Sequence, residues 1–310
     1  MTDLLPLDQM VQVFLRSQAL EAGYTDRDIA KLVRAGIWQR VRSGAYVSGE
    51  VWADLPSEER HALLARAVIA QARTDVVLSH VSALPEYGAP MWSLDRDVVH
   101  VTRRDRRAGR KERGVRQHQG VLLEGDIEVR RGVEVTSGTR TAIDITTVAS
   151  VEASLAVVNH LLHDGHTTPD ALALRYAPME RHPYTLKTDL VLRLSDPRIE
   201  SVGESRTLYA CWRQGLPAPV PQFEVLDSAG RLIARLDFAW PEHKVWLEFD
   251  GREKYVKYLR ENETVFDAVL REKRREERVT ELTGWRCIRI TWADLAYPER
   301  LAARIRALFV

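Results

Sequence analysis

The chain has 310 residues, 45% of them hydrophobic and 29% charged, and a formal net charge of +1. This make-up fits a globular protein with real cores and excludes a polycation, so nucleic-acid binding would have to come from local patches. Two cysteines, Cys211 and Cys287, are too few for a disulfide scaffold and point to a reducing compartment. No basic stretch leading into an apolar core opens the sequence, and no uncharged apolar run approaches membrane-spanning length. A cytoplasmic protein of two or three domains is therefore expected.

Residues 1–52 read as a small helical module. Leu7, Val11, Phe14 and Leu15 recur at helical spacing, and Gly23-Tyr24 ends that helix. Thr25 caps the next, with Asp28 in the capping-box position. Ile29, Leu32 and Val33 give this second helix, 26–35, its apolar face, and Gly36 stops it. Residues 37–47 follow as a short hairpin. Helix, turn, helix and wing make the winged-helix plan, in which Arg27, Lys31 and Arg34 lie on the exposed side of the recognition helix. Arg40 and Arg42 lie on the wing, within reach of phosphates. A packing or dimerisation module with a basic face is the simpler alternative.

Residues 53–180 form a middle α+β domain. Residues 58–72 are an amphipathic helix, and residues 98–101, 115–118, 127–130 and 133–135 are strands. Between the first two strands lies a basic loop, 103–116, holding eight basic and two acidic residues. Its arginines and lysine, including Arg103, Arg104, Arg106, Arg107, Arg110 and Lys111, suit phosphate neutralisation, although a solvated mobile loop has the same composition. Ser79, His80 and Ser82 lack a nucleophile elbow and read as ties at a helix start. Arg140 and Asp144, one helical turn apart, read as an ion pair in a helical region running to residue 162. Residues 178–183 look like a hinge.

The wording of the first module resembles the N-terminal domain of AbiEi-type antitoxins. The resemblance rests on Gly23-Tyr24-Thr25, on Leu32-Val33-Arg34-Ala35-Gly36, and on Trp38-x-Arg40-Val41-Arg42-Ser43-Gly44-Ala45-Tyr46. The middle domain resembles the body that follows in such proteins, through Ser79-His80-x-Ser82-Ala83 and Thr136-Ser137-Gly138-Thr139-Arg140-Thr141-x-x-Asp144. The resemblance implies a winged-helix autorepressor, with DNA and a cognate toxin as partners.

The last domain, 184–310, carries two apolar runs, each interrupted by an acid. Arg231-Leu-Ile-Ala-Arg-Leu236 ends on Asp237, residues 240–244 turn the chain, and Val245-Trp-Leu-Glu248-Phe249 ends at the turn dipeptide Asp250-Gly251. A hairpin places Asp237 beside Glu248. Paired acids in apolar strands are costly unless a cation lies between them, and oxygen ligands suit Mg²⁺ or Mn²⁺, which can activate water against a phosphodiester. Solvated edge-strand acids are the alternative. Around this hairpin, helix 200–215, strand 222–226, a charged helical region 256–282, strand 285–291 and helix 295–308 complete an αβββαβα order.

This domain resembles the PD-(D/E)XK nuclease core, and within it the small domains related to the very-short-patch-repair (Vsr) endonuclease. Glu200-Ser-Val-Gly-Glu204-Ser-Arg206, the Glu248-Phe249-Asp250-Gly251 strand end, Glu272-Lys273-x-Arg275 and Gly284-Trp285-Arg286 carry the resemblance. It implies Asp237 and Glu248 as metal ligands, Glu204 completing the shell, and the Phe249 carbonyl as a further ligand. The family's Glu-x-Lys asks for lysine where this chain has Asp250, so Lys254, or secondarily Lys273, would supply the catalytic lysine, and Arg275 would contact phosphate. The fold class expected is thus an α+β and α/β multidomain chain with a winged helix, a middle domain and a restriction-endonuclease-like core. The function expected is a metal-dependent DNA nuclease, or else an antitoxin-like repressor with an inactive core.

Overall fold

The computed structural model describes residues 13–107, 111–112, 114–181, 185–250 and 265–309; for 111, 112, 265–270 and 272 it describes the backbone alone. Among the described residues the chain is mixed α/β with three sheets. Its contacts divide it into two compact units, Met1–Val157 with Gly165–Asp189, and Val158–Asp164 with Leu190–Val310.

The first unit begins with β1 (Phe14–Leu15), α1 (Arg16–Glu21), α2 (Asp26–Arg34), β2 (Trp38–Arg42) and β3 (Ala45–Ser48). The three strands form one antiparallel sheet in the order β1-β3-β2. The helix expected through Phe14 and Leu15 is corrected here: both residues pair with β3 and the helix starts only at Arg16, while Leu7 and Val11 lie outside the described residues. Trp38, 1% exposed, is the centre of this small core, with the Phe14 ring at 4.7 Å and the Tyr24 ring at 5.0 Å. Ile29, Leu32 and Val33 turn α2 onto the same cluster, as their spacing predicts.

Next come α3 (Gly49–Asp54) and α4 (Ser57–Gln71), then a six-stranded sheet. Its strands are β4 (Val76–Leu78), β5 (Val99–Arg103), β6 (Lys111–Glu112), β7 (Val115–Gln119), β8 (Ile127–Arg130) and β9 (Val133–Thr136), in the order β6-β7-β5-β4-β9-β8. The β5–β7 and β4–β9 pairs are parallel and the others antiparallel. The basic segment is therefore a corrected expectation: β6 and β7 take up part of it. The helical region expected to run to residue 162 consists of two helices, α5 (Gly138–Val148) and α6 (Val151–His163). Ser150 separates them, its hydroxyl accepting from the Ala153 amide at 3.2 Å, because a serine at a helix start satisfies an otherwise orphaned donor. The helices α7 (Pro169–Tyr176) and α8 (Thr188–Leu194) follow.

The second unit holds α9 (Val202–Arg213), β10 (Val220–Leu226), β11 (Leu232–Trp240), β12 (Val245–Phe249), α10 (Val265–Thr283), β13 (Arg286–Ile290) and α11 (Pro298–Arg306). Its sheet runs β10-β11-β12-β13, antiparallel up to β12, and then parallel between β12 and β13 because α10 carries the chain back across. The two sides of β12 go to different cores. Val245, Leu247 and Phe249 cluster with Leu208 and Cys211 of α9, whereas Trp246 clusters with Val279 of α10. Gly203 allows the close approach on the α9 side: a β-carbon there would lie 2.1 Å from the Phe249 ring. Trp212 at the end of α9 is 45% exposed and stacks on Tyr209. Cys211 is buried and Cys287 half-buried, both as free thiols, and burial pushes each up to about 12. No helix among the described residues is long and apolar enough to cross a membrane.

Candidate functional site

The winged module presents a rigid basic surface. At the start of α2 the Thr25 hydroxyl accepts from the Asp28 amide at 3.2 Å, and Asp28 returns by accepting from the Thr25 amide at 2.9 Å. This is the reciprocal cap that the sequence predicts. Asp26 is held by Arg16, with Nη2 to Oδ2 at 2.6 Å, which ties α2 to α1. Arg27, Lys31 and Arg34 are exposed on α2, Arg40 is exposed on the wing, and Arg42 is half-buried.

Residues 3–49 match the family model for transcriptional regulators of the AbiEi antitoxin type. No curated protein matches the chain. The AbiEi-like segment thus coincides with the module of α1, α2 and the three-stranded sheet, and the exposed basic side chains of α2 lie within it.

Beyond that segment, the basic residues at 103–111 are not alike. Arg103 is buried, donating through Nε to Asp105 at 2.8 Å and through Nη1 to Gln117 at 3.2 Å. Arg104 pairs with Asp75 at 3.2 Å and with Glu134. Both hold the sheet together, and the expectation of phosphate contact is corrected for these two. Arg106 and Arg107 are exposed. Arg110 lies outside the described residues, and Lys111 opens β6.

The acids of the second unit are buried, as their apolar surroundings imply: Glu204 is 2% exposed, Asp237 7% and Glu248 4%. Phe238 pairs with Leu247, so Asp237 and Glu248 flank the next step of the same ladder. Their partners are internal. Asp237 Oδ2 accepts from the Phe249 amide at 2.8 Å, and Glu248 Oε1 accepts from Arg275 Nη2 at 2.6 Å. Glu204 accepts from the Ser201 hydroxyl at 2.7 Å, from Gln222 Nε2 at 3.0 Å and from the Glu200 amide at 3.1 Å. Strand alternation sends Glu248 to the α10 side, and Glu204 rides on the helix that covers the other side. The three carboxylates accordingly do not gather into one ligand set among the described residues. Lys254 lies outside the described residues, Lys273 is exposed on α10, and the Asp250 amide continues the ladder by donating to the Ile290 carbonyl at 2.7 Å.

The sequence reading passed over a second cluster, in the first unit. His80, His100 and His118 each place a ring nitrogen within 4.8 Å of the others. They come from the 3-10 turn His80–Tyr87 that follows β4, from β5 and from β7. Thr102 pairs with His118 across the parallel ladder, so alternation puts His100, Thr102 and His118 on one face. The His118 and His100 rings are linked Nε2 to Nδ1 at 3.0 Å, and the His80 and His118 rings stack 3.7 Å apart. Ser79 does stand at a helix start, heading the 3-10 turn His80–Tyr87, and its hydroxyl also joins this cluster, 2.9 Å from His80 Nδ1 and accepting from Thr102 at 2.8 Å. Burial keeps all three rings neutral: it carries His80 well below the ordinary histidine range, His100 to about 4 with Arg116 adding to it, and His118 to about 2 with the other two rings adding to it. A cleft of about 1030 Å³ opens beside them, lined by His80, His118, Arg116, Arg140 and Asp144 among others. The available signal was the alternation in Val99-His100-Val101-Thr102, where the two valines take one buried side and leave polar residues buried on the other.

Proposed function

We propose that the protein is a DNA-binding regulator of the AbiEi antitoxin type, in which α2 enters the major groove and the wing arginines hold the phosphates. The observation that carries this reading is the coincidence of the AbiEi match with a capped helix whose exposed side bears Arg27, Lys31 and Arg34. Repression of its own promoter and pairing with a cognate toxin are the finer parts of the proposal. The test is a mobility shift on the DNA upstream of its own gene across salt concentrations. Saturable, sequence-preferring binding that Arg27→Ala with Lys31→Ala abolishes is the expected result. Binding unaffected by these substitutions overturns the assignment of α2.

A second reading keeps Asp237 and Glu248 as the centre of a PD-(D/E)XK nuclease of the Vsr kind, using Mg²⁺ or Mn²⁺. Its support is the pair of buried acids on neighbouring strands of a sheet with α9 on one face and α10 on the other. Among the described residues, Arg275 donates to Glu248 and Ser201 donates to Glu204, so an ion there would share these carboxylates with them. Plasmid DNA incubated with either metal decides the matter. Cleavage lost in both Asp237→Ala and Glu248→Ala supports the nuclease, and no cleavage by the wild-type chain rejects it.

A further inference from the structure

We infer that His80, His100 and His118 form a binding site for one divalent transition-metal ion, with Asp144 beside it as an outer carboxylate, and that Zn²⁺ is the ion this donor set fits best. Three imidazoles are borderline ligands in the number that an open tetrahedral zinc site takes from its protein, with water in the fourth position, and they are a poor set for Mg²⁺ or Ca²⁺, which take oxygen. The spacing is compatible. Zinc bonds of about 2.0–2.1 Å put tetrahedral ligand atoms about 3.3 Å apart, and here the His118 and His100 nitrogens are 3.0 Å apart, with all three rings inside 4.8 Å. Small side-chain movements close that difference.

Asp144 supplies the independent observation. It is 2% exposed, and its Oδ2 is buried without a hydrogen-bond partner among the described residues, 3.9 Å from His80 Nδ1. A buried carboxylate oxygen left in that state is costly, and a cation at the histidine cluster would satisfy it. Its other oxygen is already placed, accepting from Arg140 Nε at 2.7 Å, while Arg140 is itself steadied by Asp126 at 3.2 Å. Ser79 and Thr102 orient the His80 ring in the way outer partners orient metal-bound histidines. His80 holds a left-handed backbone, φ +51°, which is uncommon for a side chain of that size and fixes where its ring goes. The cleft on which His80 and His118 border gives the ion a path in. The opposing charges are Arg140, offset by Asp126 and Asp144, and Arg116, whose charge is solvated.

The experiment uses the full chain, stripped with chelator, reloaded with Zn²⁺ and passed over a sizing column. One zinc per chain is expected to remain. Zinc-edge X-ray absorption on the wild-type chain is expected to show nitrogen and oxygen neighbours with the scattering of about three imidazoles, and Co²⁺ in its place is expected to give tetrahedral ligand-field bands. Asp144→Asn is expected to weaken zinc binding by about 10–100-fold, with His118→Ala weakening it more and His163→Ala leaving it unchanged. Circular dichroism confirms that each variant is folded, and the wild-type spectra stand whether or not a variant folds. A wild-type chain that retains no zinc, a shell containing sulfur, or a folded His80→Ala/His100→Ala/His118→Ala variant that binds zinc as tightly as wild type would overturn the site.

Discussion

The acids of the second unit and the histidines of the first are both buried groups able to hold a metal, but the chain has treated them in opposite ways. Asp237 and Glu248 are joined by one short hairpin, and each takes a donor from nearby, Asp237 from the Phe249 amide and Glu248 from Arg275. The histidines come from two strands and the 3-10 turn after a third, and their main partners are one another, through a ring–ring hydrogen bond and a stack. Beside them is a carboxylate oxygen with no donor among the described residues. Nearness in sequence marked the first cluster, whereas what decides metal affinity is which lone pairs remain unused after folding.

The comparison can be broken most directly by metal-dependent stability. With Zn²⁺ at a thousand times its dissociation constant, unfolding of the first unit is expected to cost about 4 kcal/mol more, read as a shift in the denaturation midpoint, while Mg²⁺ leaves the second unit unmoved. A Mg²⁺ shift that Glu248→Gln removes would reverse the assignment. Next in size is the Arg275–Glu248 pair. Arg275→Met is expected to destabilise the second unit by about 3 kcal/mol, since it strands a buried carboxylate, and the double variant with Glu248→Gln is expected to recover much of that in a denaturant cycle. Gly203→Ala is expected to cost about 2 kcal/mol by forcing α9 off the Phe249 ring.

A smaller effect separates the clusters by pH. Burial pushes the Asp126 carboxyl up, but the hydrogen bonds from Arg175 and the Leu123 amide, with the charges of Arg175 and Arg140, outweigh it and hold the group below its ordinary range. A carboxyl lowered by folding stabilises above its unfolded value of about 4 and loses that contribution as pH falls through the folded value. Denaturation midpoints of the first unit are therefore expected to drop below about pH 4, with a shallower slope in Asp126→Asn. Smallest is the phosphate contact of Lys31: Lys31→Ala is expected to lower the salt dependence of DNA binding by about one counterion, measured as the slope of log affinity against log salt.

The local signals in the sequence were reliable. Thr25 and Asp28 cap α2, Gly36 ends it, Arg140 reaches Asp144, and the β11–β12 hairpin turns at Pro241–His243. The failures are long-range. Phe14 and Leu15 have helical spacing, yet the exposed edge of β3 captured them as a strand, a tertiary contact overriding a local pattern. Arg103 and Arg104 belong to a basic run, but Asp75, Gln117 and Glu134 converge on them only once the sheet is assembled. The histidine cluster was hidden for the same reason, because its members are brought together by parallel pairing of β5 with β7 rather than by any spacing along the chain.

The cap at the head of α2 has a consequence for how DNA can lie on it. Asp26 and Asp28 crowd that end, one bound to Arg16 and the other to Thr25, while Lys31 and Arg34 occupy the far half. The helix is thus a bar with a dull pole and an attractive one. On the proposed DNA-binding role, sugar-phosphate oxygens would be drawn to its tail and flank and, at its tip, to Arg27 alone, although a bare helix tip would ordinarily welcome an anion. In that role such a bar would favour one sense in a groove, and that sense would set which side of a half-site the wing touches.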